Sequence, residues 1–148
     1  MTDLVFVDTN IVIYTRDQRD PGKAAIATEW LRVLRRNDAI VFSPQVLNET
    51  FAVATAKFRL IGPDAILAWV RQLLPYCTAP LDRDTVATAL ELHERHALAW
   101  WNCSIVASAL AGGCRYLLSE DMQHRQIIRT LEIINPFRTT PSELLEQN

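Results

Sequence analysis

The chain alternates short, mainly apolar segments with longer segments whose apolar residues recur at helical spacing. The short runs predict strands at 4–7, 39–42, 116–119 and 131–134, with a further short strand near 76–78. Helical spacing and capping residues predict helices at 23–36, 44–58, 63–74, 100–111 and from Asp82 or Arg83 to about 96. Strands that are apolar throughout are typical of parallel sheets covered on both faces. We therefore predict an α/β fold of three layers, α/β/α, around a central parallel sheet of four to five short strands.

Length and composition set limits on this picture. The 148 residues fit a single domain, and 49% of them are hydrophobic and 22% charged, which is typical of a globular chain. With 15 basic and 17 acidic residues the formal net charge is -2, so the chain cannot hold nucleic acid by bulk positive charge. Any contact with nucleic acid must therefore be local or assisted by a metal ion.

Three features bear on location. Residues 97–114 carry no charge over 18 positions, which is borderline for a membrane span, but they include polar residues and glycines and favour a buried helix of a soluble protein. The first residues, Met1 to Asp3, have no positively charged region of the kind that begins a signal peptide. The three cysteines form no C-x-x-C pair and are typical of small buried hydrophobes in a reducing compartment. We expect a cytoplasmic protein.

Acidic residues follow two of the predicted strands. Asp8 comes after the strand at 4–7, and Asp121 comes after the strand at 116–119. Sites in open parallel sheets lie beyond the carboxyl ends of the strands, so neighbouring strands would bring these two carboxylates to one edge. Each Asp alone is also compatible with an ordinary turn or helix cap.

Two helical residues are placed unusually for polar side chains. Glu49 lies about 40° from Val53 around its predicted helix, at the border of the apolar face. A carboxylate there is costly unless it is paired with a cation such as Arg or ligates a metal. Asn102 occupies the first turn of the uncharged helix on the same side as Ile105 and Val106, where it either caps the helix or marks a site.

Other candidate sites are weaker. His93 and His96 are three residues apart but lack a third metal ligand, and the arginines at 32, 35 and 36 are typical of a solvated helix face. With only four glycines there is no glycine-rich phosphate loop, and no G-x-S-x-G segment indicates an acyl-transfer hydrolase.

The chain resembles the PIN-domain ribonucleases, in particular the VapC-type toxins of type II toxin–antitoxin systems. The opening segment 7–14 is V-D-T-N-I-V-I-Y, and residues 44–49 resemble the family's helix that carries a Glu. Residues 100–107 resemble its W-D-A-x-I-V-A-A helix, residues 117–122 its L-T-E-D-L strand end, and residues 135–137 its terminal N-P-F. The resemblance covers about residues 3–138 of a single domain at 1–148, leaving a C-terminal tail at 139–148.

This resemblance implies a metal-dependent endoribonuclease that uses Mg²⁺ or Mn²⁺. It aligns Asp8, Glu49 and Asp121 with the family's acidic catalytic residues and metal ligands. Asn102 stands where the family has a further Asp, so we expect this chain to cleave RNA poorly. The implied partners are an RNA substrate, a small cognate antitoxin and a second copy of the chain, with apolar surface offered by the helices at 23–36 and 44–58.

The same comparison implies supporting residues around the acidic ones, which are Thr9, Asn10, Ser119 and Glu120. A second departure is Arg125, a long side chain near the expected rim of the pocket that could contact phosphate or a neighbouring acid.

Two alternatives stay open. A PIN domain with Asn102 could be a catalytically inactive module that binds RNA or a protein partner. A phospho-accepting receiver domain would also place Asp8 in an acidic pocket, but that class needs a late Lys, and none follows Lys57.

Overall fold

A five-stranded sheet organises the chain in a computed structural model that describes residues 2–57 and 61–145. The strands are β1 (Val5–Val7), β2 (Ile40–Val41), β3 (Tyr116–Leu118), β4 (Ile127–Ile128) and β5 (Leu131–Ile134). Their order across the sheet is β2-β1-β3-β5-β4, with all neighbours parallel except β4 and β5. This arrangement confirms the predicted parallel sheet and adds one antiparallel edge strand.

Helices connect the strands and cover the sheet. They are α1 (Thr9–Tyr14), α2 (Pro21–Arg36), α3 (Pro44–Lys57), α4 (Pro63–Leu73), α5 (Arg83–Arg95), α6 (Trp100–Ala111) and α7 (Pro141–Leu145), with a 3₁₀ helix at Leu74–Tyr76. Every residue of β1 and β3 is buried. Because successive strand side chains point to opposite faces, both faces of the sheet are covered and the fold is a three-layer α/β/α arrangement.

Most of the predicted elements are present, with four differences. The strand predicted near 76–78 is absent, and a single β-bridge joins Phe42 to Cys77 instead. The short helices α1 and α7 and the strand β4 were not predicted. The helix predicted at 44–58 ends at Phe58, which lies outside the described residues, as do the last three residues of the tail.

The register of the sheet positions the candidate site. Val7 of β1 pairs with Leu118 of β3, and the Asp8 backbone N–H donates to the Leu118 carbonyl at 3.0 Å. Asp8 and Ser119 therefore leave the sheet side by side, at its carboxyl edge.

None of the helices in residues 2–57 and 61–145 combines the length and apolarity that crossing a bilayer requires. The uncharged segment instead forms α6, which is buried at most of its positions. This agrees with the predicted buried helix.

Candidate functional site

One cavity of about 1120 Å³ brings together the four residues on which the sequence argument depends. It is lined by Asp8 after β1, Glu49 on α3, Asn102 at the start of α6 and Asp121 after β3. Thr9 and Asn10 also line it. Residues separated by more than a hundred positions thus meet at the carboxyl edge of the sheet, as the strand-end argument predicts.

Asp8 is the buried centre of this group. It caps α1, and its Oδ1 accepts a hydrogen bond of 2.7 Å from the Thr9 backbone N–H. Its Oδ2 accepts a hydrogen bond of 2.8 Å from the hydroxyl of Ser119, which is itself fully buried. Ser119 Oγ in turn accepts a hydrogen bond of 3.2 Å from the Asp121 backbone N–H, so one hydroxyl connects the two strand-end acids.

Burial raises the pKa of Asp8 to about 6. The hydrogen bonds from Ser119 and Thr9 oppose this shift because they stabilise the charged form, while the negative charges of Asp121 and Glu49 add to it. A carboxyl group in this setting is stabilised in its ionised form by any cation that enters the cavity.

Among the described residues, Glu49 is held by hydrogen bonds and not by an arginine. Its Oε2 accepts a hydrogen bond of 2.7 Å from the Thr9 hydroxyl, and its Oε1 accepts one of 2.7 Å from the Gln45 side-chain amide. The Gln45 Oε1 accepts a hydrogen bond of 2.7 Å from the hydroxyl of Ser104 on α6. This chain of side chains joins α1, α3 and α6 and fixes the direction of the Glu49 carboxylate.

The two asparagines differ in their surroundings. Asn102 is half-buried in the first turn of α6, and α6 has no side-chain cap, so the capping alternative does not apply. Both polar atoms of the Asn10 side-chain amide are buried and have no hydrogen-bond partner within the described residues. An unpartnered buried amide that lines a cavity indicates that a ligand or water completes the site.

Two predicted residues lie elsewhere. Arg125 does not line the cavity. Its guanidinium donates a hydrogen bond of 3.0 Å to Glu132 on β5, so the predicted contact at the pocket rim is wrong. Its backbone has a positive φ of 70°, in the left-handed region. Glu120 accepts 2.5 Å from the Tyr14 hydroxyl and pairs with Lys23, which ties the Asp121 loop to α1 and α2.

The cavity also contains residues that the sequence argument missed. Gln45 is four positions before Glu49, a helical spacing that could have identified it as a neighbour. Asp17 and Arg19 form a two-point ion pair on the cavity wall, and Trp101 also lines the cavity. Nothing in their sequence context distinguishes these three residues.

The donors that line the cavity fit a hard divalent cation in chemical type. They are carboxylate and amide oxygens, the ligands that Mg²⁺ and Mn²⁺ prefer. Within residues 2–57 and 61–145, no group of three His, Cys, Asp or Glu side chains is close enough to enclose an ion. Mg²⁺ is usually held by only one or two carboxylates together with water and substrate phosphate, so the arrangement is compatible with that mode of binding.

A second cavity, of about 910 Å³, lies between α2, α4 and the end of α1. We call it the arginine groove because four arginines line it, namely Arg16, Arg32, Arg35 and Arg36. Arg16 lies over the Trp69 ring at 5.3 Å and Arg35 over the Tyr76 ring at 5.9 Å. The helix face expected to be merely solvated is thus part of a positively charged groove with an aromatic floor.

Comparison with known families gives one match. The family model described as the PIN domain matches residues 5–129, a segment that contains both strand-end acids, Glu49 and Asn102. No curated protein sequence matches the chain.

Three of the solved structures with a similar fold are toxin or toxin–antitoxin structures from bacteria. A toxin–antitoxin complex from Klebsiella pneumoniae has a TM-score of 0.62 at 15% identity, covering 89% of this chain and 97% of the other. VapBC2 from Rickettsia felis, bound to a promoter DNA fragment, has a TM-score of 0.62 at 16% identity, covering 89% of this chain and 98% of the other. The VapC20 toxin of Mycobacterium tuberculosis, described as cleaving the sarcin-ricin loop, has a TM-score of 0.56 at 20% identity, covering 79% of this chain and 91% of the other. At these identities the likeness establishes the fold.

Proposed function

The chain belongs to the PIN-domain family, and from this premise we propose that it is a metal-dependent endoribonuclease, the cytoplasmic toxin of a toxin–antitoxin pair. The observation that carries the proposal is the convergence of Asp8, Glu49, Asn102 and Asp121 on one cavity, with Asp8 buried among other acidic groups. Two of the similar solved structures, a toxin–antitoxin complex and a toxin described as cleaving the sarcin-ricin loop, support the same activity.

Asp8 and Asp121 would hold the principal ion, Mg²⁺ or Mn²⁺, and Glu49 would ligate it or orient a water molecule. Bound there, such an ion lowers the pKa of water and stabilises charge on the transferring phosphate. The chain's own residues supply the positioning. Ser119 and the Thr9 backbone direct the Asp8 oxygens, while the Thr9 hydroxyl and Gln45 direct Glu49.

Asn102 limits this activity. An amide oxygen can face a cation, but it is neutral and contributes less than a carboxylate. Removing a partner of even the outer ligand sphere costs about 10- to 100-fold in metal affinity or activity. We expect the chain as it stands to cleave RNA poorly and to keep its fold, because Asn and Asp have nearly the same shape.

The test compares the unchanged chain with its Asn102→Asp variant on structured RNA, with Mn²⁺ and with chelator. The variant should cleave RNA at least about tenfold faster than the unchanged chain and lose this activity in chelator. Equal, chelator-sensitive cleavage by both chains would show that Asn102 is no defect.

A second candidate function is a catalytically inactive PIN domain that binds RNA or a protein. Asn102 favours it, as does the lack of an acidic trio that could enclose an ion in the described part of the chain. If the Asn102→Asp variant binds RNA but cleaves none of the RNAs tested, this second function is supported over the first.

A small antitoxin is the proposed protein partner. The arginine groove carries positive charge over an aromatic floor, which complements an acidic and partly apolar segment. Reversing two charges, Arg16→Glu with Arg35→Glu, should weaken binding of the protein encoded by the adjacent gene at least about tenfold. Arg129→Glu, which changes an exposed arginine paired with Glu91, is the control.

Self-association is also proposed, because α2 and α3 each expose a large apolar side chain, Ile26 and Phe51. Light scattering of the purified chain tests this, and a clean monomer would count against it.

A further inference from the structure

Trp101 lines the cavity and is 66% exposed to solvent. Its neighbour Trp100 behaves differently. Trp100 is half-buried, packs against the core and meets His93 edge to face, with ring centroids 6.1 Å apart. Packing therefore accounts for Trp100 and leaves Trp101 without a structural explanation.

The apolar surface at this point belongs to the same cavity as the acidic site. Leu81 and Val86 are also exposed and line the cavity together with Trp101. Trp101 directly precedes Asn102 on α6, and both residues line this cavity. A ligand that spans the cavity can therefore contact the indole ring and Asn102 together.

The charge of the cavity opposes an RNA backbone. Four carboxylates line it, those of Asp8, Asp17, Glu49 and Asp121, against the single guanidinium of Arg19 among the described residues. Affinity for RNA through release of counterions needs several Lys or Arg contacts to phosphate, which this cavity does not offer. A nucleobase is neutral and presents a flat π face, so stacking on an exposed Trp contributes affinity that does not depend on this charge.

We propose that Trp101 stacks an unpaired nucleobase of the RNA next to the phosphate that is cut. The inference rests on the proposed function and adds a substrate-positioning residue to it. A base within a duplex is already stacked and paired, and it must be extruded before it can reach Trp101.

The experiment measures equilibrium binding of the full chain, in chelator and with Mn²⁺, by fluorescence anisotropy. The probes are a short unstructured oligoribonucleotide and the same sequence annealed into a duplex. Trp101→Ala should weaken binding of the single strand by about 5- to 150-fold and leave duplex binding unchanged. Trp101→Phe should retain most of the affinity because it keeps an aromatic face.

The matched control is Leu90→Ala on α5. Leu90 is 54% exposed and apolar like Trp101 but does not line the cavity, so its replacement should change nothing. A set of oligoribonucleotides with one abasic position each then locates the contact. At one position the missing base should cost as much affinity as Trp101→Ala, and the two changes should not add.

Equal affinity of Trp101→Ala and the unchanged chain for the single strand would overturn the inference, as would the absence of measurable RNA binding by the unchanged chain. If Trp101→Ala changes the oligomeric state of the chain in solution and leaves RNA binding unaltered, this surface is a protein interface. That result would also overturn the inference. The proposed function fails separately, when the Asn102→Asp variant cleaves no RNA. Base-dependent binding without cleavage would leave Trp101 as a stacking platform in a non-enzymatic module.

Discussion

Ser119 and Asp8, 111 positions apart in the chain, are joined by a hydrogen bond of 2.8 Å from the Ser119 hydroxyl to Asp8 Oδ2. The contact exists because β1 and β3 are parallel neighbours in the sheet and end in the same register. The Ser119 hydroxyl donates to a buried, charged acceptor, which is the class of hydrogen bond that contributes most.

The first prediction concerns this hydroxyl. Ser119→Ala should lower the free energy of unfolding at neutral pH by about 1–3 kcal/mol, because it leaves a buried carboxylate oxygen without its donor. Ser108→Ala is a matched control, since Ser108 is equally buried but its hydroxyl has no partner within the described residues. Urea unfolding measures both variants. Equal effects would show that the Ser119 hydrogen bond makes no specific contribution.

The second prediction follows from the raised pKa of Asp8, which is about 6 against an ordinary 3.8. Between these values the folded state binds more protons than the unfolded state, so the free energy of unfolding of the metal-free chain falls as pH rises from about 4 to about 6. Asp8→Asn removes this loss. It should be more stable than the unchanged chain above pH 7, by at most about 3 kcal/mol, with the difference gone near pH 4.

Chemical unfolding in chelator across this pH range measures the effect. Asp38→Asn, which removes a carboxyl group from an exposed position of positive φ that Asn tolerates, controls for the change in net charge. A stability difference between Asp8→Asn and the unchanged chain that does not vary with pH would contradict the burial argument.

Hydrophobic pattern predicted the sheet well because β1 and β3 are buried on both faces and continuously apolar, while β5 is apolar except for the half-buried Glu132. It missed α1, whose segment 9–14 is rich in β-branched residues and favours a strand. The Asp8 cap and packing against α2 and α3 make that segment helical. The edge strand β4 has only two residues and was too short to show a period.

The acidic residues of the candidate site were predictable because strand ends and helical spacing fix their positions. Arg125 was misplaced because its direction depends on a residue of positive φ within a loop, which no periodicity records. Trp101 and Arg19 likewise reach the cavity through tertiary packing alone.

The third prediction tests whether Gln45 positions Glu49. In the Asn102→Asp chain, Gln45→Ala should reduce kcat and the affinity for Mn²⁺ by about 10- to 100-fold while KM for RNA changes little. The reason is that Glu49 Oε1 loses the amide that orients it. The Mn²⁺-induced rise in melting temperature gives a readout independent of cleavage. Thr55→Ala, exposed on the same helix, should behave like its parent, and an unchanged kcat in Gln45→Ala would refute the positioning role.

The fourth prediction concerns Arg19. Two of its five N–H groups are engaged by Asp17, which leaves three directed by a fixed guanidinium on the cavity wall. If one phosphate binds there, Arg19→Ala should reduce the slope of log affinity against log salt for single-stranded RNA by about 0.7. Arg32→Ala, whose guanidinium pairs with Glu29 away from this cavity, should leave the slope unchanged. Identical salt slopes for Arg19→Ala and the unchanged chain would exclude a phosphate contact.

The last prediction separates the charge of residue 102 from its catalytic effect. Asn102→Asp adds a negative charge to a cavity that already holds four carboxylates, so in chelator the variant should be less stable than the unchanged chain. The same charge strengthens cation binding, and a ligand at 100 times its Kd adds about 2.7 kcal/mol to the folded state. Mn²⁺ should therefore raise the melting temperature of the variant more than that of the unchanged chain, and the two curves should cross as the metal concentration increases. Parallel curves would mean that residue 102 does not face the cation, and the reduced activity expected of this chain would then have no physical basis.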